Sequence, residues 1–230
     1  MKKNSKKKIL CFVEYFIPGY RAGGPIKSVY NLISSLSDKF EFKVITRDYD
    51  YGEKRSYHNI NSDNWNKVKS IDVFYISKQN TNLKSVYKLL KSIEYDLIYF
   101  NSFFSKYFTI VPLFLIKSGF IKERPLIMAP RGEFSPEALK LKNLKKTTYI
   151  QIYNFFSFYK NTTWQASTIT EKKDIIKNLP DTKKKIFIAP DLLSFDYLNT
   201  KRKKIIRKSG PLRLIFLSRI SPTTDNLYLF

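Results

Sequence analysis

Cysteine and histidine are nearly missing from this sequence, which carries one of each. Cys11 has no partner for an internal disulfide, so the chain suits a reducing compartment. With His58 alone, no histidine-rich metal site can form, and a Ser/His/Asp triad would have to run through that single residue. His58 lies in a polar, loop-like segment, where a surface role is the better reading. Long apolar runs are missing too. Tyr107 to Ile116 is the longest uncharged one after the first strand-like run, and it falls short of the roughly 20 residues a spanning helix needs. The basic stretch Met1 to Lys8 is followed by a short apolar run that stops at Glu14, with no small-residue cleavage site after it. It reads as a strand, not a signal peptide, and the protein is expected to be soluble or peripheral.

Acidic residues are scarce: 19 Asp and Glu stand against 42 Lys and Arg, a formal charge of +23. An AT-rich coding sequence would enrich lysine with no function attached. The functional readings are anionic partners: nucleic acid, an acidic membrane surface, or phosphorylated substrates. Nothing matches an RNA- or DNA-binding module, and the lysine clusters at 140–146, 183–185 and 201–208 are spread along the chain, so no nucleic-acid partner is expected. Hydrophobic residues make up 43% and aromatics 16%, enough to build a core.

What is present is organised around Tyr15 to Pro25. This glycine-containing loop follows the apolar run Ile9–Val13 and precedes a helix-period segment, Ile26–Leu36. Unpaired N–H groups at a helix start favour anions, glycines let a diphosphate approach them, and Arg21 sits within reach of such a group. A plain strand-to-helix turn, with Gly23 and Gly24 serving steric needs only, explains the loop equally well. The loop has neither the G-x-G-x-x-G spacing of dinucleotide folds nor the GK[ST] of a P-loop.

Further apolar runs at Phe42–Thr46, Val73–Ile76, Leu97–Phe100, Leu126–Ala129, Trp164–Ala166 and Ile186–Ala189 read as strands. Helix-period segments at Leu83–Ile93, Ser105–Lys117, Tyr149–Phe158 and Thr170–Leu179 lie between them. The alternation predicts an α/β, Rossmann-like doubly wound parallel sheet, with ligands beyond the C-terminal ends of the strands. Arg131 and Glu133 follow the fifth strand, either as acceptor contacts or as a structural salt bridge. Thr168 and Glu171 have capping-box spacing, which favours a capped helix over a ligand contact. Residues 1–198 are read as one domain and 199–211 as a basic linker. Residues 212–230 open a second domain that the chain does not complete.

Several segments together resemble one family. They are Pro18 to Pro25 with Ser28 and Asn31-Leu32; Thr46 to Asp50 with Tyr57 and Trp65; Asn101 to Ser105; Ala129 to Ser135 with Ala138-Leu139 and Lys145-Lys146; Ile188 to Pro190; and Phe216 to Pro222. Their order, over about residues 8 to 222, is similar to the family-four retaining glycosyltransferases of GT-B fold, in a subgroup serving bacterial surface polysaccharides. The resemblance implies two Rossmann-like domains with the active site between them, acceptor held by the first and nucleotide sugar by the second. It implies metal-independent transfer with no cofactor beyond the nucleotide-sugar donor. Gly23, Gly24 and Arg219 would contact the donor diphosphate. Arg21, Asn101, Ser102, Arg131 and Glu133 would stand on the acceptor side.

The expected partners are a nucleotide sugar, a lipid-linked diphosphate glycan and an anionic membrane surface. The expected place is the cytoplasm or the inner face of its membrane, in capsule or lipopolysaccharide assembly. The aromatic stretch Tyr149 to Tyr159, with Lys145, Lys146 and Lys160 around it, reads either as an interfacial segment or as a core helix flanked by lysines. The departures are specific. Asp225 replaces a phosphate-contacting lysine, the paired glutamates of the donor half are absent, and Asn101-Ser102 stand where many members have a histidine. The chain therefore reads as truncated, and a non-catalytic remnant is the competing reading. None of Asp48, Asp50, Glu133 or Glu137 is assigned as a nucleophile.

Overall fold

A computed structural model describes residues 5–193. Eight strands form a single sheet: β1 (Lys7–Phe12), β2 (Phe40–Arg47), β3 (Trp65–Val68), β4 (Ile71–Ile76), β5 (Leu97–Phe100), β6 (Leu126–Met128), β7 (Thr162–Ala166) and β8 (Ile186–Ile188). Their spatial order is β3-β4-β2-β1-β5-β6-β7-β8, with every pair parallel except β3 against β4. Six α-helices accompany them: α1 (Gly24–Leu36), α2 (Leu83–Ser92), α3 (Val111–Lys117), α4 (Pro136–Lys140), α5 (Asn143–Phe155) and α6 (Ile169–Asn178). This is the doubly wound, Rossmann-like α/β architecture that the alternation of apolar runs predicts.

Successive residues of a parallel strand point to opposite faces, and both faces are covered. Leu10, Phe12, Ile98 and Phe100 pack into one core with Val86, Leu113, Tyr153 and Ile175 from α2, α3, α5 and α6. Cys11, Val13, Val44 and Tyr99 pack into the other with Val29 and Ile33 of α1. Right-handed crossovers account for this split. The chain winds outward from β1 to β4, then returns to the other side of β1 at β5, so α1 lies on one face and the later helices on the other. The reversal between β1 and β5 is a topological switch point, where loops on neighbouring strands diverge and leave a crevice.

Several elements differ from the sequence reading, among them α4, which buries no residue and follows no apolar period. β3 is a short antiparallel edge strand whose burial never exceeds half-buried, so no apolar run marks it. The segment at 105–117 is not one regular helix: a π-helical turn, Lys106–Ile110, precedes α3. The amides of Thr109 and Ile110 share the Ser105 carbonyl, and the Thr109 hydroxyl donates to the Ser102 carbonyl. Helix α5 begins at Asn143, earlier than the Tyr149–Phe158 segment read from the sequence, because its first six residues are mostly polar and bury none of their side chains. Arg219, the linker 199–211 and the strand expected after it lie outside the described residues.

Candidate functional site

The loop between β1 and α1 is held from several sides. Asp50, just beyond β2, is buried, and its carboxylate accepts from the amides of Tyr20 (2.9 Å), Arg21 (3.1 Å) and Tyr51 (2.7 Å). Tyr75 donates its hydroxyl to the Ile17 carbonyl at 2.5 Å. At Gly19 a Cβ would stand 2.3 Å from the Tyr57 hydroxyl and 2.9 Å from the Phe16 carbonyl, so only glycine fits that approach. Asp48 is equally committed: its carboxylate accepts from Ser62 at 2.7 Å, and its backbone joins Ile76 and Tyr57. Both aspartates build the scaffold.

The two glycines that end this loop differ. Gly23 is the N-cap of α1, with φ +74° and ψ −131°, a conformation for glycine alone. Gly24 has no such requirement, and a Cβ there would meet no atom within 4 Å. The first turn of α1 carries no side-chain cap and no acidic residue. Of the backbone N–H groups there, Gly23 donates to the Tyr20 carbonyl, Ile26 donates to the Gly23 carbonyl and Pro25 has none, so the Gly24 amide is left without a partner among the described residues.

Opposite that turn lies a cleft of about 160 Å³, lined by residues that include Glu14, Tyr15, Ala22, Pro25, Asn101, Ser102, Arg131 and Glu133. It sits at the switch point. No protein-family model matches the chain, and no curated protein matches it. The site is therefore read from its own chemistry.

Glu133 is the most constrained group in the cleft. Its carboxylate accepts from the Ser102 hydroxyl (2.7 Å) and from the amides of Phe103 (2.5 Å) and Phe104 (3.2 Å). Loss of solvent raises its pKa above the ordinary carboxylate value, against the pull of those three bonds and of Lys146. Arg131, with φ +58°, donates through Nε to Asn101 Oδ1 (2.8 Å), through Nη2 to the Tyr99 hydroxyl (2.6 Å) and through Nη1 to Asp191. Arg131 and Glu133 thus do not pair with each other; each fixes a different part of the rim. Between them the Gly132 amide donates to Glu171 (2.7 Å), which also accepts from the amide and hydroxyl of Ser167. Thr168 caps α6 by accepting from the Glu171 amide at 3.0 Å, so Glu171 is a structural residue with its carboxylate tying two loops together.

Four of the five expected acceptor-side residues, Asn101, Ser102, Arg131 and Glu133, meet at this one cleft. Arg21 does not line it. Its guanidinium pairs with Glu53 on the outer side of the loop. Residues outside the expected acceptor-side set complete the rim. Glu14 pairs with Arg47, whose guanidinium packs over Tyr15, Tyr49 and Phe108. Burial, with Glu14 beside it, pushes the Tyr15 phenol up to about 12. Asp191 bridges Arg131 and the Ser28 hydroxyl of α1, and the neighbouring Leu192 carbonyl accepts from Asn31. Among the described residues no group of three or more His, Cys, Asp or Glu side chains is placed to hold a metal ion.

Glu133→Gln gives a test of the raised carboxyl. A glutamine can keep all three contacts: its oxygen accepts from the two amides and its NH2 donates to Ser102. Because the folded pKa lies above the unfolded one, the carboxyl's contribution to stability is full below the unfolded pKa and is lost as pH rises through the folded pKa. Wild type minus Gln variant stability, from denaturant midpoints across a pH series, is expected to fall with rising pH through the carboxylate range. A difference that stays flat with pH would contradict the raised pKa.

Proposed function

We propose that this domain is the acceptor-side half of a retaining glycosyltransferase. The reaction passes a sugar from a nucleotide-sugar donor to a lipid-linked diphosphate glycan in bacterial surface-polysaccharide assembly. The observation that carries the reading is the start of α1, without a side-chain cap and open at Gly24, beside a cleft at the switch point that Ala22 and Pro25 line together with Asn101, Ser102, Arg131 and Glu133. A helix-start N–H group binds a phosphate oxygen, and a loop held by Asp50 offers the Gly24 amide already oriented, so leaving diphosphate charge is stabilised without reorganisation. The Asn101, Ser102 and Glu133 side chains suit hydroxyl groups. At about 160 Å³ the cleft is smaller than the ≈300 Å³ at which whole-ligand pockets begin, so it takes one portion of a larger substrate. The order of sequence segments supplies the family.

Gly24→Val tests the diphosphate role. A Cβ there enters open space, but a β-branched residue before Pro25 is disfavoured in the helix start, so the melting temperature is expected to fall slightly while the domain stays folded. Titration of the full chain with a nucleoside diphosphate, followed by backbone amide resonances, is expected to move the Gly23, Gly24 and Ile26 signals in wild type. The variant should bind at least about tenfold more weakly, which is about 1.4 kcal/mol. Equal binding by wild type and Gly24→Val would remove Gly24 from the site. No response from the wild type would remove the nucleotide.

A further inference from the structure

The surface of α5 does not look like that of an ordinary outer helix. Leu144, Ile152, Phe155 and the following Phe156 are all exposed; Leu144 is 85% accessible, Phe155 82% and Phe156 59%. Positions 144, 148, 152 and 155 fall on one stripe of the helix, while Ile150 and Tyr153 face the core. The stripe therefore carries apolar groups that packing within the described domain does not use. Its electrical surroundings are one-sided. From Ala138 to Thr170 the chain has no acidic residue, and Lys140, Lys142, Lys145 and Lys160 stand exposed around the apolar stripe. The inner end of the same helix touches the cleft: Lys146 lies over the Phe104 ring and acts electrostatically on Glu133.

We propose that this face of α5 docks onto an anionic lipid bilayer, with Leu144, Phe155 and Phe156 entering the headgroup boundary and the lysines lying among lipid phosphates. An apolar stripe flanked by lysines, on a helix too short to span, has the chemistry of an interfacial element. Lysines near an anionic surface add attraction that salt weakens. Docking by this helix presents the adjacent cleft to molecules held in the membrane. The inference rests on this surface alone and not on the sugar-transfer reading. A vesicle assay contains neither sugar nor nucleotide, so each can fail without the other.

The test is co-sedimentation of the full chain with phosphatidylglycerol vesicles and, separately, phosphatidylcholine vesicles. Wild type is expected to bind the anionic vesicles, to bind the neutral ones far more weakly, and to release as salt rises. The triple variant Leu144→Ser, Phe155→Ser, Phe156→Ser is expected to fold, since all three side chains are exposed. It should lose at least about tenfold in partitioning, the scale on which one Leu or Phe side chain moves an equilibrium. A triple variant that binds as well as wild type would mean adsorption by charge alone and overturn insertion. A wild type that forms a dimer which the triple variant abolishes, with no vesicle binding, would assign the face to a second copy of the chain. Phe156→Trp supplies a reading that does not depend on the triple variant. Its emission is expected to shift to the blue on anionic vesicles, and an unmoved spectrum overturns the proposal.

Discussion

Arg131→Ala is expected to lower the stability of the domain by about 3 kcal/mol, the largest loss from any single change in the cleft. The side chain is 11% exposed and donates to three side chains at once, Tyr99 in β5, Asn101 just after it and Asp191 after β8. The contributions are unequal. Asn101 is buried, and without the guanidinium its side-chain oxygen has lost a charged donor, which costs about 1–3 kcal/mol. Tyr99 loses less because its hydroxyl still donates to Gln165 at 3.0 Å. Asp191 is half-exposed, so water replaces most of what it loses. The buried stem adds packing that alanine cannot restore. In a chain of this length the melting temperature should drop by about 6–12 °C. Arg131→Gly should be less harmful than Arg131→Ala even though it removes the same bonds. Residue 131 sits at φ +58°, where a Cβ is strained by about 1 kcal/mol or more and glycine is not. A glycine variant less stable than the alanine variant would show that the backbone there is not strained.

The fold is legible in the chain because parallel strands covered on both faces must be apolar along most of their length. Each of the seven parallel strands is marked by such a run. β3 is not, because Trp65-Asn66-Lys67-Val68 pairs along one edge only and keeps its side chains in partial contact with water. α4 is invisible for a similar reason: it is five residues long, buries none of them, and is started by Ser135 accepting from the Ala138 amide. β8 is an edge strand too and buries only Ile186, yet its Ile-Phe-Ile run marks it, so low burial hides an element only when its residues are also polar.

The cleft is legible in half. Loops after parallel strands can be named in advance, and that rule points to Asn101, Ser102, Arg131 and Glu133. Which residues of those loops bond to one another cannot be named that way. The separation from Arg131 to Asp191 is 60 residues, from Glu133 to Ser102 it is 31, and from Asp50 to Tyr20 it is 30. Neither spacing nor composition links positions so far apart; only the strand order does. Arg131 and Glu133 are two residues apart and opposite in charge, yet positive φ at Arg131 and Gly132 turns the chain so that they face different loops. The same logic explains Arg21. Its backbone belongs to the loop between β1 and α1, but Asp50 takes its amide and Glu53 pairs with its guanidinium beside the cleft. On the proposed reading, anion binding in this half of the site then falls to the Gly24 amide, which is why Gly24 carries the functional test.

Phe103→Ala is expected to cost more than any change in the cleft, about 3–5 kcal/mol in denaturant unfolding. The ring is fully buried and is the hub of the aromatic core, with centroids of Phe134, Tyr149 and Tyr153 at 4.9, 5.0 and 4.9 Å and Trp164 at 5.7 Å. Those neighbours come from the loop after β6, from α5 and from β7, so the cavity left behind cannot close by moving one element. Relief is available only through water, since among the described residues the Tyr149 hydroxyl and the Trp164 indole N–H are buried without partners and would hydrogen-bond a solvent molecule in the new space. That places the loss toward the lower end of the range. Phe103→Leu, which keeps most of the volume, should lose less than half as much. The backbone separates packing from the site: the Phe103 amide donates to Glu133, and alanine keeps that donor. If the 101–105 turn is held chiefly by Glu133, Phe103→Ala should still show the raised carboxyl of Glu133 in its pH dependence. If that dependence vanishes, the aromatic ring, not the carboxylate, holds the turn in place. The cleft would then be a consequence of the core beneath it.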